Sequence, residues 1–327
     1  MQLYNMKYPH TCCFYKIAFI LCLLAYSTVA SVGDRSKTYQ LCQQHCYTSN
    51  CSDSKSLAQF KASQPWYMSI LYWQCWEECQ YNCMWQTVHL YRKYGHPIPQ
   101  FHGKWPFIRL WGIQEPASVF FSVLNGLSHL IMWKKFKLKV PKDAPYYRIW
   151  SVQALLSINA WLWSAVFHSR DTPFTEKMDY YCAFSLILYA FYCLCTRVIQ
   201  TPSKMGSSVI AVPFLSYFFY HIYHLSFVHF DYGYNMKANI IVGVLNSCGW
   251  LIWCYKNRHR TYMWKCALSV IVLNGLLLLE VADFPPWHFV LDAHALWHFG
   301  TVPLPFLWYS FLIDDTLSAL EERRKND

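Results

Sequence analysis

Residues 164 to 182, "SAVFHSRDTPFTEKMDYYC", set Ser164, His168 and Asp179 at the border between two strongly apolar stretches, and "LDAHALWHFG" near the C-terminus adds His294 and His298. Ser164 and His168 are four apart, as are His294 and His298, so on helices each pair shares a face. Three neutral imidazoles plus a water make a standard catalytic zinc set, with an H-x-x-x-H pair on one helix and the third ligand from another. Zinc lowers the pKa of such a water and polarises a carbonyl. In that chemistry Asp179 orients the water or accepts its proton, and Ser164 hydrogen-bonds the water or the developing oxyanion. An isolated charge at a bilayer centre costs about 2.5 kcal/mol or more, so groups kept there are paired, wet or functional.

Other readings compete. A Ser-His-Asp hydrolase built from Ser164, His168 and Asp179 leaves His294 and His298 without a task. A second histidine group, His221, His224 and His229 in "YHIYHLSFVHF", has spacings that suit a metal but no intramembrane carboxylate beside it. It reads as an interfacial belt of aromatics and histidines. Glu115, Asn125, Glu280, Asp283 and Asp292 are further polar candidates, either solvated or supporting the histidines.

The elements that must position these residues are membrane spans. The 327 residues are 55% hydrophobic and 19% aromatic but only 14% charged, too apolar for an ordinary soluble domain. The net charge of +10 would suit a nucleic-acid partner if it formed one exposed face. Instead, most Lys and Arg outside residues 31 to 116 fall in short loops, so no nucleic acid is expected. Seven apolar segments, about 117–133, 147–168, 179–197, 207–228, 238–255, 263–281 and 293–313, are long enough to cross a bilayer as helices. They form one all-α domain, a seven-transmembrane helix bundle over 117–313.

Loop charge gives the direction. Lys134, Lys135, Lys137, Lys139 and Lys142 follow the first span, Lys204 the third, and Lys256, Arg258 and Arg260 the fifth, which makes those loops cytosolic. Arg323, Arg324 and Lys325 put the 314–327 tail there too. Lys7 and Lys16 precede "IAFILCLLAY", and "STVA" offers cleavage after Ala30, so residues 1–30 read as a signal peptide. A retained signal anchor is the alternative. Both readings place the next segment, and the polar constellation, on the luminal side.

That segment, residues 31–116, holds Cys42, Cys46, Cys51, Cys75, Cys79 and Cys83. An even set in an oxidising lumen reads as disulfides, with zinc binding the weaker option. Cys42/Cys46 and Cys75/Cys79 each lie four apart, which suits two antiparallel helices stapled together. A hairpin requires the numbers of each bridged pair to have a nearly constant sum, and one set does: Cys42–Cys83, Cys46–Cys79 and Cys51–Cys75. Asn50-Cys51-Ser52 is also a glycosylation sequon, whose use a bridged Cys51 would hinder.

"FHGKWPFIRLWGIQEPASVFFSVLNGLSHL", "SAVFHSRDTPFTEKMDYYCAFS" and "LDAHALWHFG" resemble the signatures of the GPI-remodelling phospholipases. These belong to a superfamily of seven-span hydrolases that also holds alkaline ceramidases and progestin and adipoQ receptors. The resemblance runs through the chain after the leader, and the superfamily pattern falls on Ser164, His168, Asp179, His294 and His298. It implies that Glu115 and Asn125 belong to a polar motif. The activity it implies is zinc-dependent removal of the sn-2 acyl chain from the inositol phospholipid of GPI-anchored proteins. The membrane would be that of the Golgi, with the endoplasmic reticulum second. Two alternatives remain: ceramide amide hydrolysis, which the long disulfide-rich luminal segment disfavours, and a receptor or scaffold with a structural zinc, which the luminal N-terminus disfavours.

Overall fold

The computed structural model describes residues 31–200 and 204–326; the signal peptide expected over residues 1–30 lies outside them. Among the described residues the chain is helical, with isolated bridges and no sheet. Helices α1 (Lys37–Asn50) and α4 (Cys75–Lys93) run antiparallel, with α2 (Ser54–Ser63) and the short α3 (Trp66–Ile70) between them. Three bridges join the pair, Cys42–Cys83, Cys46–Cys79 and Cys51–Cys75, with Cα atoms 5.7, 5.7 and 5.8 Å apart. They are the pairs the constant sum selects. Asn50 ends α1, its amide donating to the Cys46 carbonyl, beside the bridged Cys51.

The stapled hairpin shares a small core of Tyr39, Cys83, Val88 and Phe101, which draws the following loop against it. Gly33 donates its N–H to the Gln100 carbonyl at 2.9 Å, and a Cβ at Gly33 would lie 2.5 Å from that oxygen. Only glycine allows this approach.

The bundle comprises α5 (Pro116–Lys139), α6 (Tyr147–Ser169), α7 (Pro173–Val198), α8 (Lys204–Tyr223, continued by a π-turn over His224–Val228) and α9 (Tyr232–Lys256), then α10 (Met263–Ala282), α11 (Ala293–Thr301) and α12 (Leu304–Asn326). Helix α5 packs on α6, α11 and α12. It buries Ser118, Ser122, Asn125 and Ser128 on one face and exposes Phe120, Val123, Leu127 and Ile131 on another. Both stripes follow the 3.6-residue period: small polar residues admit close helix contact, and the apolar row faces lipid.

At the lysine-rich end the core contains Phe136, Trp150, Trp250, Phe311 and Leu312. There Arg197 donates to both oxygens of the buried Asp315, at 2.7 and 2.9 Å.

Five helices, Pro116–Lys139, Tyr147–Ser169, Pro173–Val198, Met205–Val228 and Tyr232–Lys256, are long and apolar enough to cross a membrane by themselves, and Met263–Leu279 is a shorter apolar helix; with the C-terminal pair α11 and α12 the described residues are consistent with the expected seven spans. Two helix boundaries differ from expectation. The segment expected as one span over 293–313 breaks after Thr301. Pro303 has no N–H for the helical ladder, and Pro305 is tolerated only because it enters the first turn of α12. Helix α12 then runs past residue 313 through the expected tail. The third span starts at Pro173 rather than Asp179, because Thr172 and Thr175 form a reciprocal cap that adds nearly two turns.

Candidate metal centre

Four helix ends meet on the disulfide-bearing side: the start of α5, the end of α6, the start of α7 and the start of α11. His168 lies in the last turn of α6, while Asp292 caps α11 by accepting the Ala295 N–H at 2.8 Å and so fixes the turn that carries His294. The two histidines of α11 and the one of α6 turn their Nε2 atoms inward. His294 Nε2 stands 3.3 Å from His168 Nε2 and 2.8 Å from His298 Nε2. The three ligand atoms lie within 4.8 Å of one another. His168 and His298 are 4% and 1% exposed, and Trp161, Phe167 and Trp297 pack around the rings.

The far side of each buried ring explains this convergence. His168 Nδ1 lies 2.6 Å from a Glu115 carboxylate oxygen, and His298 Nδ1 lies 2.9 Å from Ser122 Oγ. With protons on those Nδ1 atoms, both rings present bare Nε2 lone pairs to the shared centre. Lone pairs that face one another in a dry site need a cation or a shared proton between them. Tetrahedral zinc, with nitrogens at about 2.0–2.1 Å, places its ligands about 3.3 Å apart. The His168–His294 separation matches that spacing and the His294–His298 separation of 2.8 Å is tighter, while three neutral imidazoles are a donor set of the kind zinc takes.

Lys104 was not among the expected site residues. Its ammonium lies 3.2 Å from Glu115 Oε1 and 2.7 Å from Asp171 Oδ2, and 4.5 Å above the Phe167 ring. Burial by itself would raise the Glu115 carboxyl, but Lys104 and His168 outweigh it and hold the group well below the usual carboxylate range. Burial likewise opposes the charge on Lys104, and Glu115 with Asp171 overcomes it, raising the ammonium above its ordinary value. The pair is ionised at neutral pH. Lys104 is delivered by a tight turn whose ends pair through Phe101 N–H to Lys104 O and Lys104 N–H to Phe101 O, at 2.8 and 2.9 Å. Asp34 accepts from the His102 N–H, and Ser31 Oγ from the Gly103 N–H.

Ser122 is the other residue not anticipated. It bridges His298 Nδ1 and Ser164 Oγ, the latter at 3.1 Å. If His298 donates to Ser122, the Ser122 hydroxyl is free to donate onward to Ser164, an arrangement that leaves the Ser164 proton available to another acceptor. Asn125 donates to the His298 carbonyl at 2.8 Å, holding α5 against α11. Asp179 sits within α7, in the electrostatic reach of His168 and His294, with no hydrogen bond drawn to its carboxylate among the described residues.

The second histidine group is not assembled as a metal site among the described residues. His221 is fully buried rather than interfacial, stacked on Phe184 at 3.8 Å, with Nδ1 3.3 Å from the Tyr234 hydroxyl. His224 packs on the same tyrosine.

The fold and this centre define a polytopic helical membrane protein with three histidines gathered at one end of its bundle. The sequence matches the Per1-like family over residues 65–316, and the chain belongs to it. It is 48% identical over 303 residues to the Danio rerio protein named GPI-specific phospholipase A2-like PGAP3, covering 92% of this chain and 96% of that protein. The Homo sapiens protein of that name is 46% identical, with 89% and 91% covered. Drosophila melanogaster post-GPI attachment to proteins factor 3 is 42% identical, with 90% and 91% covered. No solved structure matches.

Proposed function

We propose that this protein is a zinc-dependent acyl hydrolase that removes the sn-2 fatty acid from the inositol phospholipid of GPI-anchored proteins. The observation that carries this reading is the convergence of His168, His294 and His298 Nε2, with Ser164 joined to His298 through Ser122 and Asp179 within electrostatic reach of His168 and His294. The names of the relatives support the substrate. In this reading residues 31–116 and the site are luminal, the C-terminal tail is cytosolic, and the membrane is that of the Golgi before the endoplasmic reticulum. The sequon at Asn50 is a candidate glycosylation site.

His168, His294 and His298 hold the zinc, which when bound polarises the ester carbonyl and acidifies water. Asp179 takes a proton from the attacking water as its oxygen bonds to the acyl carbon. Ser164 donates to the oxyanion that develops on the carbonyl oxygen. When the bond to the glycerol oxygen breaks, the proton held at Asp179 returns to that leaving oxygen. The products are a free fatty acid and a lyso-lipid anchor. Glu115, Ser122 and Asn125 hold the two metal-bearing helices in register.

The test replaces His298 with Ala, which removes one nitrogen ligand and leaves the helix intact. Metal content of the purified protein and the acyl composition of GPI anchors in cells relying on the variant are measured together. Metal content should drop, and the anchors should keep the acyl composition of cells without the protein. Fully remodelled anchors from His298→Ala would end the zinc hydrolase reading, and altered ceramide with normal anchors would favour the ceramidase chemistry.

A further inference from the structure

Away from the histidines, the stapled segment carries an apolar patch that the site does not use. Trp66 and Tyr72, in and just after α3, are 73% and 77% exposed, and Trp111 is 71% exposed; Ile70 and Leu110 lie exposed as well. The stretches "PWYMSILYW" and "LWGI" that form the patch contain no charged side chain. Tyr72 and Trp111 also adopt φ of 55° and 49°, a left-handed conformation that is uncommon and strained for a bulky residue. The fold retains that strain while leaving both rings outside its core.

The patch is firmly mounted. Trp73, buried between its two halves, is covered by the guanidinium of Arg109 at 3.3 Å and that of Arg170 at 3.8 Å, and its indole N–H donates to the Gly112 carbonyl at 2.8 Å. Arg109 pairs with Glu78, and Arg170 with both oxygens of Glu77. Gly112, at φ +78°, faces Leu71 and Met68 so closely that a Cβ would meet each at 3.0 Å. Helix α3 and the 110–113 turn therefore move as one body.

That body hangs from the ends of two membrane helices. Arg170 directly follows α6 and donates to the Leu71 carbonyl at 3.0 Å, the Gln114 N–H donates to the Ser169 carbonyl, and α5 starts at Pro116. Phe120, one turn into α5, and Phe174, in the first turn of α7, carry exposed apolar surface from this level onto the sides of the bundle. Uncharged aromatic rings at the depth where helices leave a bilayer are favoured in the headgroup layer.

We infer that Trp66, Ile70, Tyr72, Leu110 and Trp111 seat in the lipid interface on the disulfide-bearing side, and that their partner is the leaflet itself. Continuity with the lipid-facing surface of α5 and α7 selects lipid over a protein. The anchor pins the loop after α6, two residues from His168, to the membrane surface. Its service to catalysis rests on the hydrolase reading: an ester carbonyl just below the headgroups then reaches the histidines without the lipid leaving its leaflet.

The full-length protein in phosphatidylcholine vesicles provides the test. Trp66→Phe and Trp111→Phe keep an aromatic ring at an exposed position, and the emission lost in each variant isolates that indole among the others. In vesicles whose lipid is brominated high on the acyl chain, the emission of both indoles should be quenched, more than by bromine near the chain end, while aqueous acrylamide leaves it intact. Emission that survives the bromolipid but is lost to acrylamide would put the patch in water and open it to a protein partner. Quenching of one indole alone would overturn seating of the patch as a unit. Because fluorescence does not depend on hydrolysis, failure here is distinguishable from failure of the hydrolase reading.

Discussion

Glu115 and His168, 53 positions apart, are joined twice: the carboxylate meets His168 Nδ1 at 2.6 Å, and the Glu115 N–H donates to the His168 carbonyl at 3.0 Å. The start of one membrane helix is thereby bolted to the end of the next, with the side-chain bond fixing the ring and the backbone bond fixing the turn beneath it.

Glu115→Gln separates these roles. The amide oxygen still accepts from Nδ1, but the charge that makes the imidazole a better ligand is gone, and Lys104 keeps only Asp171. Zinc should be held about 10- to 100-fold more weakly in chelator competition on the purified protein. Unchanged retention would mean that the backbone bond alone orients His168.

Ser122 and Ser164 form one hydrogen-bonded chain but should fail differently. Ser122→Ala removes the acceptor of His298 Nδ1, so metal retention should fall about 10-fold or more. Ser164→Ala leaves His298 with its partner, so metal should stay while the rate drops by about 10²-fold. Equal metal loss in both variants would mean that Ser164 also supports the metal-bearing ring.

Asp179→Asn keeps size and polarity but cannot take a proton. The expected outcome is normal metal content with GPI-anchor remodelling slowed by about 10²-fold or more. Metal lost along with activity would reassign Asp179 as a ligand or a support. Asp292, occupied in capping α11, would then be a poor replacement base.

At the opposite end of the bundle, Asp315→Asn should cost stability and leave the metal alone. Arg197 and Asp315 are 5% and 0% exposed, so the change strands a buried guanidinium, a loss of about 3–5 kcal/mol. Thermal unfolding in detergent should show a large drop in midpoint, with zinc stoichiometry unchanged in the surviving fold. An unmoved midpoint would mean that the ion pair and its apolar surroundings cancel.

The sequence revealed what is periodic or local. Spacings of four put His294 with His298 and Ser164 with His168, and the antiparallel numbering of six cysteines picked out the bridges, because helical geometry acts on near neighbours. Helix α11 escaped because hydropathy does not register the lost N–H at Pro303. The third helix begins before Asp179 because Thr172 and Thr175 extend it by side-chain capping rather than by apolar content. Lys104 was legible only as a charge in a loop: its partner Glu115 is eleven residues on, and Asp171 lies beyond two spans. Ser122 left a trace, the buried row Ser118, Ser122, Asn125 and Ser128, whose spacing marks a helix seam without saying that a histidine lies across it.

The turn carrying Lys104 ties the candidate metal centre to the cross-linked segment. Its backbone is held by Ser31 and Asp34, just before the stapled hairpin, and Phe101 at its start packs in the core around Tyr39 and Cys83, the latter bridged to Cys42. The ammonium that balances Glu115 is therefore positioned from the cross-linked segment rather than from the helix bundle. The cross-links thus reach the candidate metal centre at second hand, and thiol reductant applied to the folded protein should loosen metal retention in chelator competition, which unchanged retention would contradict.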